Sequence, residues 1–368
     1  MESLMGLINL EHEHDFLNEL TYFRCGAAVP FAGRYRLIDF SLSNMVNSQV
    51  SEVGIFTPSK YRSLMDHLGS GEQWELARRN GGLFILPPDW HDPTDISLGD
   101  LRFFHNNRDF FDRSKATHVL ISGSQFITNT NYLAAFEFHI MRDADVTFIS
   151  KTVDEIEEEH EGCLRLEIDN NDWVRGITND AQNHNLFTGV YIINKHLLLQ
   201  LVDQCIAYHK DNFFFHGIKE QLDHLKIQSF EHKGYAAFIK SVRSFYRHNM
   251  NLLSAGNYRA LFYQEPLIQT KISNEPPAKY CEKGDVKKSI IANGCIIEGD
   301  VEQSILFRGV HVQEGAKIKN SIIMQRCTIG ENVYLENVIL DKDVKISAGQ
   351  TFIGGKEKPF VVAKRKVM

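Results

Sequence analysis

The stretch Val310-His311-Val312-Gln313-Glu314-Gly315-Ala316-Lys317-Ile318-Lys319-Asn320-Ser321-Ile322 carries an apolar or small side chain at every sixth position: Val310, Ala316 and Ile322. The period continues downstream, with Ile323, Ile329 and Leu335 as a second series and Val338 and Val344 as a third. Turn residues punctuate the run at Asn293-Gly294, Glu298-Gly299, Glu314-Gly315 and Gly330-Glu331-Asn332. A six-residue period predicts a parallel β-helix, whose triangular coils bury one side chain per face and stack into a continuous core. A sheet of hairpins would instead show strict alternation and hairpin turns. The expected C-terminal domain is therefore a left-handed parallel β-helix of hexapeptide repeats over residues 286–368. Its edges and flat faces suit subunit contacts.

Upstream, residues 1–253 alternate β-rich runs with helical patterns, which predicts an α/β domain built on a mostly parallel sheet. Strands are expected at Met5–Asn9, Val53–Thr57, His118–Ser122, Val146–Ser150 and Phe187–Ile193, and helices at Ile38–Asn47, Tyr132–Met141, Lys195–Gln204 and Val242–Leu253. Leu197, Leu198, Leu201 and Val202 fit one face of a 3.6-residue period. Such a sheet binds ligands at its carboxyl edge. Between the domains, Glu265-Pro266, Glu275-Pro276-Pro277 and Glu282-Lys283-Gly284 break any long element, so residues 254–285 read as a connector packed on the surface.

Composition narrows the class. The 368 residues are 43% hydrophobic and 24% charged, as in globular proteins, and suffice for two domains with a sizeable core. A formal charge of −7 gives no electrostatic case for nucleic acid or an anionic membrane. No apolar stretch approaches the roughly 20 residues of a membrane span, and Met1-Glu2-Ser3 does not start a secretory signal. Cys25, Cys163, Cys205, Cys281, Cys295 and Cys327 are scattered without metal-binding spacing and read as reduced thiols of a cytoplasmic protein.

The first strand opens onto Glu11-His12-Glu13-His14-Asp15-Phe16. Many α/β folds cradle a phosphate here, using glycines that bring backbone N–H groups close and a helix N-terminus that adds positive potential. This loop offers three carboxylates and no glycine. One carboxylate about 4 Å from a phosphate charge costs about 4 kcal/mol at an effective dielectric near 20, so the loop should repel a triphosphate. His12-Glu13-His14 lacks helical metal-ligand spacing and reads as a solvated acidic turn.

The run Ala28-Val29-Pro30-Phe31-Ala32-Gly33-Arg34-Tyr35-Arg36-Leu37-Ile38-Asp39-Phe40-Ser41-Leu42-Ser43-Asn44 resembles the bacterial glucose-1-phosphate adenylyltransferases, or ADP-glucose pyrophosphorylases. Gly69-Ser70-Gly71 leading to Trp74-Glu75-Leu76, Arg79-Asn80-Gly81-Gly82-Leu83-Phe84-Ile85-Leu86-Pro87-Pro88 and Gly189-Val190-Tyr191-Ile192-Ile193 extend the likeness over nearly the whole chain. The resemblance implies a Rossmann-like nucleotidyltransferase domain of the GT-A type ahead of the β-helix. It is nearest to the non-catalytic regulatory branch, which pairs with a GlgC-type catalytic subunit in glycogen synthesis.

Nucleotidyl transfer needs carboxylates for Mg²⁺, cations on the pyrophosphate and a fixed attacking phosphate. By the resemblance, the family's glycine-rich loop and its arginine fall on Glu11 to Phe16, and its Lys-Pro falls on Gly26-Ala27. The two metal-holding aspartates fall on Ser124 and Phe238, leaving no expected metal or cofactor, since Mg²⁺ demands an oxygen shell. Near Ile177-Thr178-Asn179-Asp180-Ala181-Gln182 the sugar-binding Glu-Glu-Lys-Pro run has no counterpart. The serine before the Met-Gly-Ile-Tyr pattern is Phe187, and a glutamine coupling effector and nucleotide sites is Pro58. Glu11, Phe16, Gly26, Ser124 and Phe238 thus form a set of degenerate catalytic positions. Phe16 and Phe238 read most simply as side chains filling vacated space. Random drift would damage ligand-facing and framework positions alike, so the pattern implies a fold kept for another purpose.

The resemblance also implies an effector site for an anion such as a sugar phosphate at Arg24, Arg34 and Arg36, whose planar forks suit phosphate. The basic tail, Lys356, Lys358, Lys364, Arg365 and Lys366, could close that site, although a family cation is Phe23 here and a family histidine is Pro30. The plain alternative pairs these arginines with carboxylates such as Asp39. His139, His216 and His248 read as core or surface residues, and His311, the lone candidate for β-helix acyl transfer, as a coil corner. The expected function is a regulatory subunit in a hetero-oligomer, a tetramer by the resemblance, with a GlgC-type partner. The alternatives are an active nucleotidyltransferase with substituted ligands and a stand-alone sugar-phosphate or nucleotide sensor.

Overall fold

The structure is a computed structural model that describes residues 2–13, 16–57, 59–79, 81–87 and 95–368. The expectations placed on His14, Asp15, Pro58, Asn80 and Pro88 lie outside the described residues. Packing divides the chain into two units, Met1–Glu13 with Phe40–Tyr61 and Leu68–Phe238, and His14–Asp39 with Arg62–His67 and Ile239–Met368. The division expected at 253 and 285 follows chain order, whereas packing groups Arg24, Arg34 and Arg36 with the C-terminal repeats.

The first unit is built on a nine-stranded sheet. Strand Leu4–Asn9 lies parallel between Glu52–Phe56 and His118–Ser122, with Leu7 opposite Gly54 and Ile121, and Gly82–Leu86 continues the parallel set. Asn185–Asn194 runs antiparallel to both His118–Ser122 and Val146–Thr152. Ile227–Glu231 then adds in parallel beside Val146–Thr152. Met5, Leu7 and Ile8 are all buried, so both faces of the central strand are covered, which is why its sequence is a continuous apolar run. The predicted strands recur with shifted ends. Phe187–Ile193, for instance, lengthens to Asn185–Asn194.

Helix Lys195–Ala207 shows how these elements are fixed locally. Asn194 caps it by accepting from the N–H groups of His196 (2.9 Å) and Leu197 (3.2 Å), satisfying donors that the helix cannot. Leu198, Leu201 and Val202 are buried against the sheet, each worth about 1.5–3 kcal/mol. Leu197 is only partly buried, at the edge of that face.

In the second unit, three stacks of short parallel strands make the left-handed β-helix. One stack runs Lys279–Tyr280, Ile296–Ile297, His311–Val312, Thr328–Ile329 and Lys345–Ile346. Val310, Ala316, Ile322, Ile323, Ile329, Leu335, Val338 and Val344 are all fully buried. The corners close on residues with positive φ, among them Gln303, Asn320 and Asn337, whose N–H groups donate to the preceding coil at Lys287, Glu302 and Lys319. Ser289, Ser304 and Ser321 stack between coils, each hydroxyl accepting the N–H of the next coil's residue at 3.0–3.1 Å.

Two local expectations change. The stretch read as a connector contains a helix, Ala255–Phe262, and supplies the β-helix's first strand, Lys279–Tyr280, ahead of residue 286. His311 opens a flat strand rather than a corner, 3.4 Å from Glu298. The segment 14–39 joins this unit through Phe31, edge-on to Phe245 at 6.1 Å, and through the Ala32 N–H, which donates to Asn249 at 2.9 Å.

Candidate functional site

Strands Leu4–Asn9 and His118–Ser122 are parallel, with Ile8 opposite Ser122, so their carboxyl ends open side by side. There Glu13 turns inward. Its carboxylate accepts the backbone N–H and the hydroxyl of Ser124, and a further backbone N–H from Gln125. A Cβ on Gly123 would lie 2.6 Å from Glu13 Oε1, so only glycine leaves room for this approach. Burial pushes the Glu13 carboxyl up to about 7, against the hydrogen bonds from Ser124.

The expectation of a solvated acidic turn is corrected here, because backbone donors are available beneath the loop. The neighbouring charges are also engaged. His12 lies 2.9 Å from Glu11 through Nδ1 and 2.9 Å from Asp100 through Nε2. Burial opposes protonation, but the two carboxylates prevail and hold His12 up to about 10, as an imidazolium. The second Asp100 oxygen accepts the Phe213 N–H at 2.8 Å. Glu11, read as a ligand-facing acid, donates its own N–H to Asn9 Oδ1 at 3.1 Å.

Rings fill or cover the other positions that the resemblance singled out. Phe238 pairs opposite Phe126 in a short antiparallel bridge, is 3% exposed, and packs against the rings of Phe126 (5.2 Å) and His160 (5.6 Å). It offers no oxygen to a cation. In the second unit the Phe16 ring lies over Gly26, where an added Cβ would stand 2.3 Å from Phe16 Cε1. Phe187 is packed between Phe148 (4.7 Å) and Phe214 (5.1 Å, stacked).

A cavity of about 270 Å³ remains in the first unit, between the Glu13 turn, Asp100 and strand Asn185–Asn194. Phe126, Phe187, Tyr191 and Phe214 give it aromatic walls, and Asn9, Gln125 and Asn212 give it amides. Among the described residues, no lysine or arginine lines it.

The three arginines divide in role. Arg24 is 2% exposed, with its guanidinium paired to Asp341 and its Nε donating to the Leu20 carbonyl at 2.9 Å. Arg36 donates to the Ser63 carbonyl (2.7 Å) and hydroxyl (3.0 Å), and burial pulls its guanidinium down to about 10. Asp39, fully buried, accepts from Thr270 and the Arg36 N–H and pairs with His67. Arg34 instead lies over the Tyr35 ring at 4.9 Å and borders a cavity of about 670 Å³ with Tyr258, Tyr263 and Arg308. Beside Arg24 and Arg36, burial and then those two cations push the Lys342 ammonium down to about 6.

Asp100, Asp341, Lys342 and Arg308 were not found from sequence. The run Asp341-Lys342-Asp343 interrupts an apolar repeat and could have pointed to two of them. Asp100 carries no such signal.

Residues 17–253 match the nucleotidyl transferase family model, and residues 276–359 match the GlmU-like C-terminal hexapeptide model. The chain is similar to the glycogen biosynthesis protein GlgD of Bacillus subtilis, at 37% identity over 98% of this chain and 96% of the relative. It is 39% identical to the GlgD of Geobacillus stearothermophilus over 99% and 97%. It is also 31% identical to a glucose-1-phosphate adenylyltransferase of Bacillus mycoides over 90% of each chain. Seen with the sheet, the β-helix and the altered strand ends, these likenesses show that the chain belongs to the glucose-1-phosphate adenylyltransferase family of nucleotidyl transferases, within the group that carries the GlgD proteins.

Proposed function

We propose that the chain is a regulatory, catalytically silent subunit in cytoplasmic glycogen synthesis, assembled as a hetero-tetramer with a GlgC-type chain that makes ADP-glucose and pyrophosphate from ATP and glucose 1-phosphate. The observation that carries this reading is the Glu13 carboxylate seated on the N–H and hydroxyl of Ser124. A buried carboxyl side chain occupies backbone donors at the strand ends, where a nucleotidyl transferase needs room for phosphate and metal. Phe238 at the second metal position and Phe16 over Gly26 support the same reading, since a phenyl ring neither ligates Mg²⁺ nor pairs with pyrophosphate.

A silent subunit alters its partner only by binding the partner's active and inactive conformers with different affinity. The effector anion is assigned to the arginine segment, with Arg34 as the member facing an open cavity and Arg24 and Arg36 shaping the ground beside it. The deciding experiment measures ADP-glucose synthesis by this chain, by a GlgC-type chain and by their mixture across effector concentrations. The expected result is no turnover alone and a shifted effector response in the mixture. Unchanged partner kinetics, or turnover by the isolated chain at a rate typical of its enzymatic relatives, would defeat the proposal.

A further inference from the structure

A second stack of β-helix strands runs Val286–Lys287, Asp300–Glu302, Lys317–Lys319, Tyr334–Glu336 and Thr351–Ile353, parallel and in register. Val301, Ile318 and Leu335, at the middle of their strands, are buried, so the residues on either side of them point outward. Asp300 lies beside Lys317, and Glu302 beside Lys319. One strand further out, Lys287 adjoins Glu302 on one side and Glu336 adjoins Lys319 on the other. Asp285, Lys287, Asp300, Glu302 and Lys317 are exposed, and Lys319 and Glu336 are half-buried.

Within the chain these charges are loosely matched. Glu302 and Lys319 stand 3.9 Å apart, and Asp300 and Lys317 form no ion pair among the described residues although they are register neighbours. Lys287 is closely paired, with Asp285. The lysines and carboxylates of the face nearly cancel, so it attracts neither a polyanion nor a polycation.

Their order carries the information. The sign of charge inverts about the line midway between strands Asp300–Glu302 and Lys317–Lys319. A two-fold axis lying in the face along that line would turn each acidic strand onto the basic strand of a second copy. It sets Asp300 opposite Lys317, Glu302 opposite Lys319 and Lys287 opposite Glu336, with Asp285 opposite the uncharged Tyr334. Each contact then occurs twice, as an isologous interface requires.

We infer that this flat face is a docking surface for a second copy of this chain, paired by charge across that axis. Five strands at a spacing of ~4.8 Å, each about 10 Å long, bury well under the roughly 1,200 Å² of a standard interface. The pairing is therefore weak and screened by salt. It stands apart from the proposed regulatory role, since it concerns contact between copies of this chain whether or not a catalytic partner is present.

Sedimentation equilibrium on the full chain at about 50 mM and about 500 mM salt tests it. The parent is expected to show a reversible doubling of mass whose Kd rises at least about tenfold between the two salts. Lys317→Glu with Lys319→Glu sets acid against acid across the axis, and Asp300→Lys with Glu302→Lys sets base against base. Each double variant is expected to lack the doubling while its melting curve stays cooperative, because the changed side chains lie on the surface. An equimolar mixture of the two variants again places acid against base on both strands and is expected to recover the doubling, which misfolded variants would not. No salt-sensitive doubling in the parent, a doubling that survives either double reversal, or no recovery in the mixture overturns the inference. So does a parent that does not double but loses binding to a GlgC-type chain in the double reversals, which would give the face to that partner instead.

Discussion

The Phe16 ring and the Cα of Gly26 share one space: a single added methyl at Gly26 would come within 2.3 Å of Phe16 Cε1 and 2.6 Å of Cζ. The residues at positions 16 and 26 are therefore sterically coupled in this chain. Gly26→Ala is expected to destabilise by about 1–3 kcal/mol through overpacking. Phe16→Ala combined with Gly26→Ala should recover most of that loss, which a double-mutant cycle in urea would read as a favourable coupling. Additive effects would show that the ring moves aside freely.

Buried titratable groups give the first unit two opposed pH dependences. Glu13 is raised by burial from 4.5 to about 7, so the folded state holds a proton that the unfolded state releases. Its contribution is full below about pH 4.5 and is lost as pH rises through 7, up to about 3 kcal/mol. His139 is lowered from 6.5 to about 4 by burial and by neighbouring His118. Its contribution has the other sign, full above 6.5 and lost as pH falls through 4, with a similar magnitude. Urea unfolding at pH 5, 6 and 7 should show Glu13→Gln gaining stability with pH more steeply than the parent and His139→Gln less steeply. Parallel curves for all three would contradict both assignments.

Arg24 and Arg34 should separate stability from response. Removing Arg24 leaves Asp341, 1% exposed, without its cation, and breaking such a pair from one side costs about 3–5 kcal/mol. Arg34→Ala, on an exposed side chain beside an open cavity, should shift stability by no more than about 0.5 kcal/mol. Thermal melts test the first statement, and effector titration of the mixed complex tests whether Arg34→Ala blunts the response. A stable Arg24→Ala chain would mean that the pair is replaced by solvent.

Restoring acids should not restore chemistry. Ser124→Asp places a second carboxylate against Glu13, and like charges at that distance force one to stay protonated. The double variant Ser124→Asp, Phe238→Asp is expected to show no ADP-glucose synthesis and a lower melting temperature. Substantial activity would mean that Glu13 withdraws readily when metal and nucleotide arrive.

Much of the fold was legible because its signals are local. The apolar runs at Leu4–Asn9 and His118–Ser122 need both faces covered, and the hexads ending in Ile322 and Leu335 need a triangular core. Helix Ala255–Phe262 was not legible, for only Leu261 and Phe262 are buried on it and no apolar face announces it. Lys279–Tyr280 escaped for the same reason, since both side chains are exposed and the strand is held by backbone pairing to Ile296–Ile297. At the site, the sequence displayed the charges but not their partners. Glu13 finds Ser124 across 111 positions, and no spacing rule reaches that far. The Glu13 carboxyl, expected to face water, is an internal acceptor.

The pairing of Arg24 with Asp341 spans 317 positions of chain. Residues 16–39 therefore gain the buried counter-charge for Arg24 only once the β-helix coil that carries Asp341 has folded, so the segment and that coil stand or fall together. Local unfolding of that coil would leave a buried arginine without its acceptor and open the segment to proteolysis and chaperones.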